Sequence, residues 1–195
     1  MPYPAKLTPA LILHEAGRLL DEGGEDALNM RPLAAALGVQ ASSLYHHFAD
    51  REALKRALED ETALALGAAL QRAGEALPPR RALQATCQAY LDFARTYPQR
   101  YGLLLAPRPP AVGLPGPGKD LWNAVLDRVS ALSGVPDDTD GTVALWAFLH
   151  GFVVLERSGL FGLSGPQRGF EAGLAALLDG MECRKAAPAH GGNLA

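Results

Sequence analysis

The sequence predicts an all-α chain, a three-helix head at the N-terminal end followed by a six-helix body. Two observations carry that reading. Apolar residues recur three and four positions apart along most of the chain, the spacing of a helix with one buried face. Between those stretches stand hydroxyl or acidic residues where helices can start and proline or glycine where they must stop.

Thr8-Pro9 opens the first helix, a capping hydroxyl followed by proline at the first helical position, where a missing amide hydrogen costs nothing. Leu33 and Leu37 line the second helix, Leu44 and Phe48 the third, so two short apolar stripes can close on each other. Ala34 keeps that crossing close and Val39 plugs its corner. Gly38 stands where the chain turns with positive φ, which glycine accepts without a Cβ clash. Pro32 is tolerable because first-turn amides lack intrahelical acceptors.

Asp50 caps a fourth helix that runs until Pro78-Pro79 and connects head to body. A fifth spans about Arg80 to Tyr97, stopped by Pro98, and a short sixth covers Gln99 to Leu105. Residues 107–118 carry five prolines and three glycines and read as a mobile loop. The seventh helix is placed at Lys119 to Leu132, the eighth at Asp140 to Ser158 and the ninth at Pro166 to Met181. The expected organisation is a helix-turn-helix domain over 1–50, a helical ligand-binding and dimerisation domain over 51–183, and a disordered tail over 184–195.

The outer face of the third helix is the chemically informative one. Gln40, Ala41, Ser42, Ser43, Tyr45 and His46 are small or hydrogen-bonding, which suits a rod entering a major groove about 12 Å wide. Tyr45 and His46 end in polar tips suited to phosphate oxygens, contacts that position a protein on DNA without reading sequence. Gly38-Val39, then Ser43-Leu44-Tyr45-His46-His47-Phe48, then Asp50-Arg51-Glu52-Ala53-Leu54 resemble the DNA-binding head of the TetR family of bacterial repressors, over roughly residues 8 to 56. The resemblance implies an all-helical homodimer whose third helix lies in the major groove of a palindromic double-stranded operator, with release by a small-molecule effector. Gln40, where the family commonly has a small hydroxyl cap, and Pro32 depart from its pattern. The DNA-facing residues expected on this basis are Arg31, Gln40, Ala41, Ser42, Ser43, Tyr45, His46, Arg51 and Lys55.

Bulk charge argues against such a partner, since the chain is net −3 and a basic domain is the usual footprint of a DNA binder. Local arrangement answers this. From Arg31 to Arg56 four cations face two carboxylates, while Glu15, Asp21, Glu22, Glu25 and Asp26 crowd the far end of the first helix. So few cations make one head a weak binder, and a second copy on a two-fold axis supplies another about 34 to 36 Å away, one DNA turn. No apolar run reaches the roughly 20 residues of a membrane span, and MPYPAKLT lacks a signal core, so a cytoplasmic protein without membrane attachment is expected. Cys87 and Cys183 are read as ordinary reduced thiols.

The last two helices are the most apolar and are expected to build the dimer through Trp146, Val153, Phe170, Leu174, Leu177 and Met181. Trp146, His150, Gly151 and the following LERSG loosely resemble the Trp-His-Gly signature of one C-terminal subgroup of the same family. That likeness implies a small, largely apolar effector, with Tyr90, Trp122, His150 and Arg157 as candidate lining residues. A nucleophile elbow, a His-Glu-x-x-His helix, a phosphate loop and a dinucleotide fingerprint are all missing, so no enzyme, cofactor or metal is expected. The alternative to a ligand-gated repressor is a helical protein-interaction or ligand-carrier module whose head does not bind DNA.

Overall fold

The computed structural model describes residues 7–105 and 116–186, which form nine α-helices and one 3-10 turn, with no β-strand among the described residues. In order these are α1 (Pro9–Gly23), the 3-10 turn (Glu25–Ala27), α2 (Met30–Ala36), α3 (Ala41–Tyr45), α4 (Arg51–Gly74) and α5 (Pro79–Thr96). There follow α6 (Pro98–Leu104), α7 (Pro117–Ser133), α8 (Thr139–Arg157) and α9 (Gly169–Ala186). The chain divides into two compact units, 1–65 with 96–118, and 66–95 with 119–195. Most of the loop expected over 107–118 lies outside the described residues, and Pro117 already belongs to α7.

The first unit is built around one apolar core. Ile12, Ala16 and Leu20 of α1 meet Leu33 of α2 and Leu44 of α3, together with Leu54 and Leu58 of α4. Each such side chain withdrawn from water contributes roughly 1.5–3 kcal/mol. Thr8 caps α1 by accepting from the Leu11 amide at 3.2 Å, and Asp50 accepts from the Ala53 amide at 2.6 Å at the start of α4. The unit extends well past residue 50, because Leu54, Leu58 and Leu103 of α6 share its core. α6 packs on α1, where the Arg100 guanidinium donates to the Asp21 carboxylate at 2.9 Å and lies over Gly17. A Cβ on Gly17 would stand 2.5 Å from that guanidinium, so any other residue there would make Arg100 shift.

The second unit is held by buried apolar faces and by arginines that tie its helices together. Arg95 of α5 grips the Glu156 carboxylate of α8 with two bonds of 2.6 and 2.9 Å. Arg80 reaches Asp179 and Glu182 of α9 at 2.6 and 2.5 Å. From α7, Arg128 donates to the carbonyls of Leu70 and Gln71 at 3.5 and 3.3 Å, covering the C-terminal end of α4. α8 and α9 pack through Phe148 and Phe170, stacked at 5.6 Å, with Gly173 directly beneath the Phe148 ring.

Several boundaries differ from expectation: α4 ends at Gly74 instead of running to Pro78-Pro79, α7 starts at Pro117 instead of Lys119, and both ends of α9 move. α9 starts at Gly169 instead of Pro166, because residues 159–167 form successive turns in which Gly159, Gly162, Gly165 and Gln167 take positive φ. It also runs on to Ala186, so Arg184 and Lys185, expected in a disordered tail, are helical. Arg184 holds the Asp138 carboxylate at 2.8 Å. Burial alone would push Asp138 up, yet hydrogen bonds from Ser133 and the Gly141 amide, with the Arg184 charge, hold it below the usual carboxylate range. Residues 187–195 of the expected tail lie outside the described residues.

Candidate nucleic-acid interface

The helix-turn-helix is set by a few backbone and side-chain contacts. Gly38 has φ of 66°, and the Val39 amide donates back to the Ala34 carbonyl at 2.9 Å, closing the turn between α2 and α3. Leu44 is fully buried and Phe48 nearly so, and the Leu44 carbonyl accepts from the amides of both His47 and Phe48 at 2.9 Å. Regular helix therefore ends at Tyr45, and the chain continues as a tight turn through His46 and His47. Gln40 flanks α3 in an extended conformation and its side chain makes no capping bond, so its amide points are not committed within the head.

With Leu44 and Phe48 turned inward, the opposite face of α3 is presented outward. Gln40, Ser42 and His46 are exposed, Ala41 and Ser43 half-buried, and the Tyr45 ring is 52% exposed. Arg31 is exposed in the first turn of α2. Asn29, Arg31, Tyr45, Asp50 and Arg51 line one concavity of 480 Å³ where α2, α3 and α4 meet. The two remaining expected DNA contacts are engaged inside the head. Arg51 donates to the Leu28 carbonyl at 2.7 Å and to the Glu25 carbonyl at 2.9 Å, and Lys55 donates to the Glu25 carboxylate at 2.6 Å. That bond from Lys55 holds the Glu25 carboxyl below its ordinary range. Three more of the acids expected to face away are paired within the head: Glu15 and Glu22 with Arg18, and Asp21 with Arg100.

In the body, Trp146 brings two of the four candidate lining residues together. Its ring centroid lies 5.8 Å from that of Tyr90 and 6.1 Å from that of Trp122. Tyr90 is buried, Trp122 and His150 are half-buried, and Arg157 is exposed at the last turn of α8. Of the residues expected to face a second copy, Val153, Phe170, Leu174 and Met181 are buried within their own chain, and Trp146 and Leu177 are half-buried. α8 and α9 use those side chains on each other and on the rest of the unit. On α8 and just after it, the large apolar groups left exposed are Val143, Val154, Leu155, Leu160 and Leu163. A groove of 360 Å³ lined by Ala147, Phe148, Gly151, Leu155 and Phe161 runs along the same part of α8.

Residues 12–58 match the family model described as bacterial regulatory proteins, tetR family, and residues 83–178 match one described as tetracyclin repressor-like, C-terminal domain. An uncharacterised HTH-type transcriptional regulator of Mycobacterium tuberculosis is 30% identical over 97% of this chain and 87% of its own length. The chain belongs to the tetR family. It is a DNA-binding transcriptional regulator and not an enzyme. Among solved structures, BioQ with its natural double-stranded DNA operator is similar at 25% identity and a TM-score of 0.67, over 91% of this chain and 99% of that one. A TetR variant from Acinetobacter baumannii in complex with minocycline shares the fold at 24% identity and a TM-score of 0.69, over 93% and 100% of the two chains.

For a tetR-family head, the sequence reading missed two things. It did not foresee that Glu25 takes up Lys55, since nothing local links residues 30 positions apart. Nor did it foresee α6 docking on α1, for which the one signal was Gly17 and Asp21 standing four apart on a single face. No described helix is long and apolar enough to cross a membrane, and no cluster of potential metal ligands occurs among the described residues. Cys87 is buried, which pushes its thiol up to about 12, while Cys183 is exposed.

Proposed function

We propose that the chain acts as a homodimer in the cytoplasm, that it holds a palindromic operator through two copies of α3, and that a small effector bound in the body releases it. The observation that carries the reading is the outward face of α3. A short helix that turns Leu44, and with it Phe48, inward while Ser42, Tyr45 and the flanking Gln40 and His46 face outward from a two-helix frame has the shape and chemistry of a major-groove reader. Arg31, Ala41 and Ser43 complete the proposed surface. The operator complex of BioQ and the minocycline complex of the Acinetobacter TetR variant support the two ligand classes by likeness.

The effector is placed against the Tyr90, Trp122, Trp146 cluster, with His150 as its polar partner and Arg157 at the edge. Aromatic edges and one imidazole fit a small, largely apolar molecule. Effector binding shifts a two-state dimer, and moving the ratio from 99:1 to 1:99 needs a differential affinity of about 5.5 kcal/mol. The second copy is placed on the exposed side of α8 and α9, where Val143, Val154 and Leu155 stand uncovered.

Tyr45→Ala tests the reading. Its ring packs into no core, so the expected result is lost duplex retention in a gel shift with an unchanged melting temperature and unchanged dimer. Unchanged retention would remove α3 from the interface.

A further inference from the structure

We infer that Arg51 and Lys55 are positioning residues that fasten the entry to α2 onto α4, and that Lys55 does not neutralise a phosphate. The inference rests on the DNA-binding reading above and deepens it. Arg51 and Lys55 stand four apart on one face of α4, in its first two turns, and both turn toward the segment 25–28. Three bonds join the two pieces: Arg51 Nε to the Leu28 carbonyl, Arg51 Nη2 to the Glu25 carbonyl, and Lys55 Nζ to Glu25 Oε1, of 2.7, 2.9 and 2.6 Å. Only 16% of the Lys55 side chain is exposed, too little for an ammonium that must also reach a phosphate. A cation whose charge is already spent on a carboxylate at 2.6 Å displaces no counterion from the DNA phosphates.

The need for this fastening comes from the sequence of α2. An N-cap side chain ordinarily accepts from the amide two or three residues on, and here the third is Pro32, which has none. The Arg31 amide remains, but Asn29 makes no cap with it and turns back, donating from Nδ2 to the Asp26 carbonyl at 2.6 Å. α2 thus begins without its usual local lock. The segment that feeds it is secured from α4 instead, and through α2 and the Gly38 turn this fixes the angle at which α3 is offered.

The test uses the full-length dimer and a labelled duplex recovered from a random pool by the unmodified protein, with affinity measured across a salt series. Lys55→Met and Glu25→Gln are each expected to weaken binding about three- to fivefold, the range of a single ion pair, with the log–log salt slope unchanged. Exchanging the charges, Glu25→Lys with Lys55→Glu, is expected to restore affinity. A phosphate-binding Lys55 would give the opposite pattern: Lys55→Met would flatten the slope by roughly 0.9 per head, and Glu25→Gln would tighten binding by freeing the ammonium. Either of those results overturns the inference. Hydrogen exchange on the DNA-free protein supplies an independent arm, with amides of residues 33–44 expected to exchange faster in both single variants. If the unmodified protein recovers no duplex, the DNA-binding reading fails by itself, and unchanged exchange in both variants would then overturn the fastening as well.

Discussion

The head and the body are both helical, yet they bury their side chains to different ends. In the head Met30 and Leu33 of α2 and Leu44 of α3 turn inward, and the outward face is left to Gln40, Ser42, Tyr45 and His46, whose ends are polar. In the body, α8 buries Leu145, Leu149, Phe152 and Val153 on one side and still exposes Val143, Val154 and Leu155 on the other. The difference teaches what each unit meets. A polar outer face against a closed core suits a hydrated, charged partner, whereas an apolar outer face on a helix already packed inside suits another protein surface.

Removing a core side chain gives the largest expected effect and tests whether the two units fail separately. Leu44→Ala deletes a fully buried side chain of the head and is expected to cost about 2–5 kcal/mol, with DNA retention lost and the dimer kept. Leu149→Ala in the body carries a similar cost and is expected to weaken the dimer first. Urea unfolding followed by fluorescence and by sedimentation distinguishes the two; identical profiles for both variants would break the comparison. Charging the exposed face comes next. Val143→Glu with Leu155→Glu is expected to give a species near the 20.6 kDa of a single chain while leaving the melting of the head in place.

A smaller effect is expected at the turn of the head. Gly38 has φ of 66° and nothing within 4 Å of where a Cβ would stand, so Gly38→Ala is expected to cost only the left-handed backbone term, about 1–2 kcal/mol in a melting experiment. The smallest concerns acid. The bonds from Arg18 and Lys55 hold Glu15 and Glu25 below their ordinary range. A lowered carboxylate contributes stability that is present above the unfolded value near 4.3 and is lost as pH falls through the folded value. Melting of the head is therefore expected to drop slightly below about pH 4.3, and Glu25→Gln to remove part of that drop. A melting temperature that rises on acidification would contradict the ion pairing.

The helices and most of their ends were legible because their causes are local. Thr8, Asp50, Gly38 and Pro98 act within four residues, and the structure bears out each of them, whereas Pro166 opens no helix because the turns over 159–167 precede α9. The outward face of α3 was legible for the same reason, since Leu44 and Phe48 define its back. What lay beyond reading was the choice between faces. Val153, Phe170, Leu174 and Met181 form an apolar stripe that fits a partner subunit as well as it fits the neighbouring helix, and only packing reveals that the chain uses it for itself. Arg51 and Lys55 were read as DNA contacts from sign and place alone, and their bonds to Leu28 and Glu25 within the head follow from no spacing rule.

Selection of bound duplexes from a random pool tests the central claim most directly, that two copies of α3 read one operator. The account predicts enrichment of a sequence with two inverted half-sites, their centres a helical turn or a multiple of it apart. Recovery of an unenriched pool at low salt, from protein that sediments as a folded dimer, would contradict it.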